Sequence, residues 1–216
     1  MSKYFVLVGV LLLTAGFASA QEEDFPRVET SPGFMYIRTP ISFTVPGFPS
    51  FNQSFNCAGA GGTITVNLTS MLGVGADLGG CKYVGETVRP PVSTDISSSA
   101  FTFLFGPRLT FRNSSRFVPF TDLQFGGMHV GINCNNNAGD ICPGNPSISR
   151  TAFAMTVGGG IDIRLTKRIS LRPIEADYLY TRFGNGCDLP VCSFNNSQNS
   201  FRLKSGIVIS WGGAAR

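Results

Sequence analysis

The chain has 216 residues, a formal net charge of +4, 43% apolar residues and only 14% charged residues. A soluble domain carries roughly a quarter charged residues, so this composition argues against an ordinary soluble enzyme. The basic residues are spread without a run, which excludes a nucleic-acid footprint, and 26 Gly with 19 Phe suit a sheet protein with an apolar exterior.

Residues 1–20 read as a secretory signal peptide. Lys3 supplies the positive start, Phe5 to Phe17 the apolar run, and Ala18-Ser19-Ala20 the small-residue cleavage site. That apolar run is shorter than the about 20 residues a spanning helix needs, so cleavage after Ala20 is expected. No later stretch reads as a membrane helix. An exported chain of this kind is either soluble outside the inner membrane or a barrel. The expected organisation is a short leader over 21–32, a barrel over 33–211 and a tail over 212–216.

Period-two alternation predicts eight strands. The first runs from Phe34 to Val45 and is interrupted by Pro40. In the second, Ile64, Val66 and Leu68 face away from Thr63, Thr65, Asn67 and Thr69. In the third, Leu72, Val74, Ala76 and Leu78 face away from Gly73, Gly75, Asp77 and Gly79. The fourth is the cleanest: Phe101, Phe103, Phe105, Leu109 and Phe111 oppose Thr102, Leu104, Gly106, Arg108, Thr110 and Arg112. The fifth sets Phe117, Pro119, Leu123 and Phe125 against Phe120, Asp122, Gln124 and Met128. The sixth sets Phe153, Met155, Val157, Ile161 and Ile163 against Thr156, Gly158, Gly160, Asp162 and Arg164. The seventh, Ile169 to Phe183, contains Pro173. Simple alternation places Glu175 and Asp177 on one face and Arg172 on the other, and a bulge at Pro173 would reunite them. The eighth sets Phe201, Leu203, Ile207, Ile209 and Trp211 against Arg202, Lys204, Gly206 and Val208.

The connections alternate in length. Those at Thr69–Met71, Asn113–Ser115 and Thr166–Arg168 are short, and those at 46–62, 80–96, 132–149 and 184–198 are long. Short periplasmic turns and longer outside loops distinguish bacterial outer-membrane barrels. All six cysteines, Cys57, Cys81, Cys134, Cys142, Cys187 and Cys192, fall in or beside the long connections. An even count in an exported chain suggests disulfides, with 15 possible connectivities. Proximity favours Cys134–Cys142 and Cys187–Cys192, leaving Cys57–Cys81. Their spacings match no familiar zinc frame, and no cofactor is expected. The glycine runs at 59–62 and 158–160 precede no helix and carry no Lys-Ser/Thr, so they are not phosphate loops.

The segments TFLFGPRLTFRNSSRFVPF, FAMTVGGGIDIRLTKRISLRPIEADYLYTRF and NSFRLKSGIVISW resemble the OmpA-like outer-membrane β-barrel family, over about Gly33 to Trp211. The resemblance implies an all-β, eight-stranded antiparallel transmembrane barrel in the bacterial outer membrane. It implies outer-membrane lipid as its surroundings. The last strand, with Gly206 and Trp211, resembles the signal read by the outer-membrane insertion machinery. Ile209 stands where that signal often has an aromatic residue, and five residues follow Trp211. The peptidoglycan-binding domain of classical members is not part of the resemblance.

Charges on the polar faces are expected inside, because Arg or Lys facing lipid at the bilayer midplane costs roughly 2–4 kcal/mol each. Asp77, Asp122, Asp162, Glu175 and Asp177 would pair there with Arg108, Arg164, Arg202 and Lys204, with Arg112 near a turn. The expected lumen is an ion-paired plug, since eight strands leave an interior that side chains can fill. The expected role is structural or interactive, through the long loops and an extracellular ligand that the residues do not identify. Two other readings are a small-solute or ion pore and a soluble exported ligand-binding barrel. Catalysis is not expected: His129, the single histidine, lies on the lipid-side face, and Glu175 and Asp177 have basic neighbours.

Overall fold

The computed structural model describes residues 25–43, 51–83, 94–136, 147–183 and 197–212. They form eight strands: β1 (Val28–Phe43), β2 (Phe51–Asn67), β3 (Leu72–Tyr83), β4 (Thr94–Thr110), β5 (Phe117–Asn136), β6 (Ser147–Arg164), β7 (Ile169–Arg182) and β8 (Ser197–Trp211). Each strand pairs antiparallel with its sequence neighbours, and β1 closes on β8, making a closed barrel. Closure satisfies the ladder groups that a free edge would expose. The stretch expected as a signal peptide, residues 1–20, lies outside the described residues. No helix among the described residues is long and apolar enough to cross a membrane.

Alternation decides which side chains face out. On β4, Phe101, Phe103, Phe105 and Leu109 are exposed while Thr102, Leu104, Arg108 and Thr110 are buried. The same outward apolar face continues through Ile64, Val66, Val74, Leu78, Phe117, Phe153, Val157, Leu171, Phe201 and Ile207. A contiguous apolar exterior of this kind has no place in water. It fits a hydrocarbon surround, in which a closed barrel is one of the two backbone solutions. The soluble ligand-binding barrel needed these faces turned inward, and they are not.

Two of the tight turns use the same local chemistry. Leu68 N–H donates to the Leu72 carbonyl at 2.8 Å, and Thr69 Oγ1 accepts from Leu72 N–H at 2.9 Å. At the other end of the chain, Leu165 N–H donates to the Ile169 carbonyl at 3.0 Å, and Thr166 Oγ1 accepts from Ile169 N–H at 3.0 Å. Between β4 and β5, the Asn113 carboxamide oxygen accepts from Ser115 N–H at 3.0 Å, as Asn does in turns.

Several boundaries differ from the sequence expectation. β1 begins at Val28, not Phe34, so the barrel starts inside the stretch expected as a leader. Arg27 N–H donates to the Trp211 carbonyl at 2.9 Å, which ties this stretch to the end of β8. At the opposite end β2 begins at Phe51, deep inside the stretch 46–62 expected as a long loop, and β3, β4, β5, β6 and β8 each run a few residues into theirs. The physical reason is that these extensions are rich in Ser, Asn and Gly. Ladder pairing needs no apolar alternation once a strand has left the lipid, so the periodicity stops before the strand does. Pro40 lies two residues beyond the end of the β1–β8 pairing, at Arg38 opposite Phe201, and keeps only its β2 partner, Ser54.

Candidate functional site: the charged interior

The inward faces of β3 to β8 bring eight of the nine expected lumen charges together. Arg202 sits between two carboxylates, 2.7 Å from Asp77 and 2.8 Å from Asp177. Lys204 bridges Asp77 and Glu175, the latter at 2.7 Å. Thr63 on β2 donates to Asp77 at 2.8 Å. Arg108 pairs with Asp122 at 2.7 Å and lies 3.7 Å from Glu175. Asp162 completes the set at the turn end.

The partner of Asp162 is Arg172, which strict alternation had placed on the other face. Its guanidinium grips Asp162 with two parallel bonds, of 2.7 and 2.9 Å, and donates to Glu175 at 2.8 Å. The β6–β7 and β7–β8 registers both shift at this point, between Ile161 and Ile163 and between Arg172 and Glu175. Pro173 cannot donate to the ladder, so β7 bulges there, and Arg172, Glu175 and Asp177 all point inward. Arg108 and Arg172 both lie over the ring of Phe120, at 4.3 and 4.2 Å from its centroid. The aromatic face therefore supports two guanidiniums that carboxylates also hold.

Arg164 is a correction. It lies partly exposed at the end of β6 and donates to the Asn113 carbonyl at 3.1 Å. The strand ends there, so its side chain bends to the turn instead of the interior. Arg112 at the same rim pairs with Glu29 at 2.9 Å. Together with Arg116, Lys167 and Arg168 these residues line an open recess of about 540 Å³ at the turn end. Phe25 is buried beside it, and Asn67 donates to the Pro26 carbonyl at 2.8 Å, which holds the N-terminal segment across that mouth.

Above the charges, towards the end of the barrel away from the tight turns, the interior is apolar. Met35, Ile37, Leu104, Met128, Ala154 and Leu179 form a buried cluster with Cys81. Cys57 and Cys81, the pair left once proximity had matched the other four cysteines, are joined, with Cα atoms 5.5 Å apart. They sit on β2 and β3, not in loops, and Cys57 packs against the apolar cluster. Cys134 falls on β5, with its side chain outside the described residues, as are Cys142, Cys187 and Cys192.

The charged belt leaves little room. The void that reaches it, beside Ser31, Thr63, Arg172, Glu175 and Lys204, has a volume of about 10 Å³. A water needs roughly 10–15 Å³. The carboxylates of Asp122, Glu175 and Asp177 approach within 4.8 Å of one another, and they are the one group of potential metal ligands among the described residues. Arg108 and Arg202 hold one oxygen each of Asp122 and Asp177, and both oxygens of Glu175 are in ion pairs, with Lys204 and Arg172. His129 is exposed on the outer face, with Nδ1 2.9 Å from Thr151 Oγ1, and takes no part in the interior. Gly206 lies opposite Gly33 in the seam between β1 and β8, and Trp211 is exposed at the end of β8.

A closed eight-stranded barrel with an apolar outside and paired charges inside is the architecture of an outer-membrane barrel. The chain belongs to the outer membrane protein beta-barrel domain family, whose description matches residues 8–204. Among solved structures, neisserial surface protein A is similar in fold, with a TM-score of 0.53 and 13% identity over 88% of this chain and 100% of that one. The attachment invasion locus protein Ail of Yersinia pestis aligns with a TM-score of 0.47 and 14% identity, over 84% and 98% of the two chains. OprG of Pseudomonas aeruginosa aligns with a TM-score of 0.48 and 13% identity, over 89% and 99%. No curated protein matches the sequence.

Proposed function

We propose that this protein is a non-enzymatic structural or interaction protein of the bacterial outer membrane, with a lumen closed to solutes. The observation that carries the reading is the stacking of a belt of ion-paired buried charges under an apolar layer. Ions crossing the barrel would have to break pairs with side chains almost wholly buried and then enter a dry cluster of Met35, Ile37, Leu104 and Leu179. Breaking one partner from a buried pair costs roughly 3–5 kcal/mol. The absence of catalysis is supported by the separation of His129, on the outer face, from every buried carboxylate.

In this reading the signal peptide is removed after Ala20, the tight turns face the periplasm and the long connections face outward. Interaction then falls to those outward connections, stiffened by Cys57–Cys81 at their base and by pairs within Cys134–Cys142 and Cys187–Cys192. Gly206 and Trp211 serve the insertion machinery. The test is conductance across a planar bilayer after reconstitution of protein that shows a heat-dependent shift in SDS mobility. A closed lumen gives no discrete current steps. Reproducible steps would establish the pore reading instead.

A further inference from the structure

The buried belt is not neutral. Its carboxylates are Asp77, Asp122, Asp162, Glu175 and Asp177, and its cations are Arg108, Arg172, Arg202 and Lys204, five against four. No further charged side chain among the described residues is buried with them. An uncompensated charge in a low-dielectric interior is expensive, so the count itself asks where the missing positive charge is held.

The hydrogen bonds locate the deficit. Asp77 is bonded by Thr63, Arg202 and Lys204, and Asp162 receives both arms of the Arg172 fork. Glu175 is met by Arg172, Lys204 and, more distantly, Arg108; its Oε1 makes no hydrogen bond but lies 2.7 Å from the Lys204 ammonium. Asp122 and Asp177 each spend one oxygen on an arginine, and in both the other oxygen, Oδ1, is buried without a hydrogen-bond partner. These two residues flank Gly158: β6 pairs Gly158 with Asp122 on one side and with Asp177 on the other. A Cβ on Gly158 would run into Asp177 Oδ1, so that free oxygen lies over the glycine, and the Asp122 and Asp177 carboxylates that flank this notch come within 4.8 Å of each other.

We infer that the Gly158 notch holds one monovalent positive charge, a proton or an alkali cation, shared by the free oxygens of Asp122 and Asp177. A single charge balances the belt, whereas a divalent ion would overshoot it beside Arg108, Arg202 and Lys204. The donor set is all oxygen, as a proton or a hard cation prefers. This goes beyond the closed-lumen reading and can fail separately from it, since conductance tests the path and not the occupant. The charged groups facing the notch are Arg108 from β4, Asp122 from β5, Glu175 from β7 and Arg202 and Lys204 from β8, with Asp77 on β3 behind them.

The experiment uses the full mature chain refolded in lipid vesicles. Infrared difference spectra of wild type, Asp122→Asn and Asp177→Asn are recorded near neutral pH. Unfolding midpoints are compared in sodium, potassium and choline chloride at equal ionic strength. A protonated occupant gives a carboxylic-acid C=O band in the wild type that is absent from Asp177→Asn or Asp122→Asn. An alkali cation gives no such band, and a wild-type midpoint higher in sodium or potassium than in choline, a difference the variants lose. Wild type with neither the band nor the salt difference overturns the inference, and that measurement needs no variant to fold. A higher midpoint in Asp177→Asn than in Asp77→Asn is expected as well, because Asp77 holds two cations and Asp177 one.

Discussion

Phe120 and Arg172 show how much one position can carry. Arg172 is buried and charged, it forks onto Asp162, it reaches Glu175, and its guanidinium rests on the Phe120 ring. Each of these contacts uses the planar shape of the guanidinium, which an ammonium lacks. Arg172→Lys should therefore cost about 2 kcal/mol despite preserving the charge. Urea unfolding of the barrel in vesicles reads this directly. Arg164→Lys is the matched control: its one bond goes to a rim carbonyl, and its midpoint should stay within about 0.5 kcal/mol of wild type. Both arginines were mis-sided by period-two counting, for opposite reasons. Pro173 inserts a bulge that flips Arg172 inward, and the end of β6 frees Arg164 to bend outward. The remaining charges were legible because they sit in unbroken alternation, where a charge opposite a lipid-facing Phe, Leu or Ile has one place to go.

At the level of strands, the seam between β1 and β8 is where the chain becomes a barrel. Gly33 and Gly206 face each other there, and a Cβ on either would run into backbone of the other strand: Ser205 carbonyl oxygen for Gly33, Pro32 carbonyl oxygen for Gly206. Gly206→Val should thus hinder closure itself. The expected result is a lower yield of the heat-modifiable folded form, measured by SDS mobility, with the same substitution at the exposed Ile207 leaving the yield unchanged. The β2–β3 pair is stabilised differently. Cys57 and Cys81 close a segment of 24 residues in sequence separation, worth roughly 3–4 kcal/mol by chain entropy. Cys81→Ser should lower the unfolding free energy by about that amount, and reductant should lower wild type to the same level. Cys81 is buried, so reduction is expected to proceed only as the protein unfolds. The pairing was legible only as the remainder, once proximity had matched the other four cysteines with one another. The location was not, because the Asn-, Ala- and Gly-rich start of β2 and the Gly79-Gly80 end of β3 carry no apolar period to mark them as strand.

For the molecule as a whole, the same alternation writes two surfaces at once. The inward surface needs paired charges and a dry cap, and the outward surface needs nothing polar across the thickness of the hydrocarbon. Only the second requirement distinguishes a membrane barrel from any other closed barrel, so it is the one to test. Phe105 is 64% exposed, sits mid-strand in β4, and has the apolar Ala76 and Phe125 as its cross-strand neighbours. Phe111 is also exposed but lies just beyond β4, at the turn. In water the two positions are equivalent, and an arginine at either should change stability little. In a bilayer the cost depends on depth, roughly 2–4 kcal/mol at the midplane and about 0–1 kcal/mol near the interface. Phe105→Arg should therefore destabilise the barrel in vesicles by about 2–4 kcal/mol, and Phe111→Arg by about 1 kcal/mol or less. Urea titration of both variants against wild type supplies the comparison. Equal effects at the two depths would remove the hydrocarbon from the account of this fold, and a graded pair would put Phe105 deeper in the hydrocarbon than Phe111.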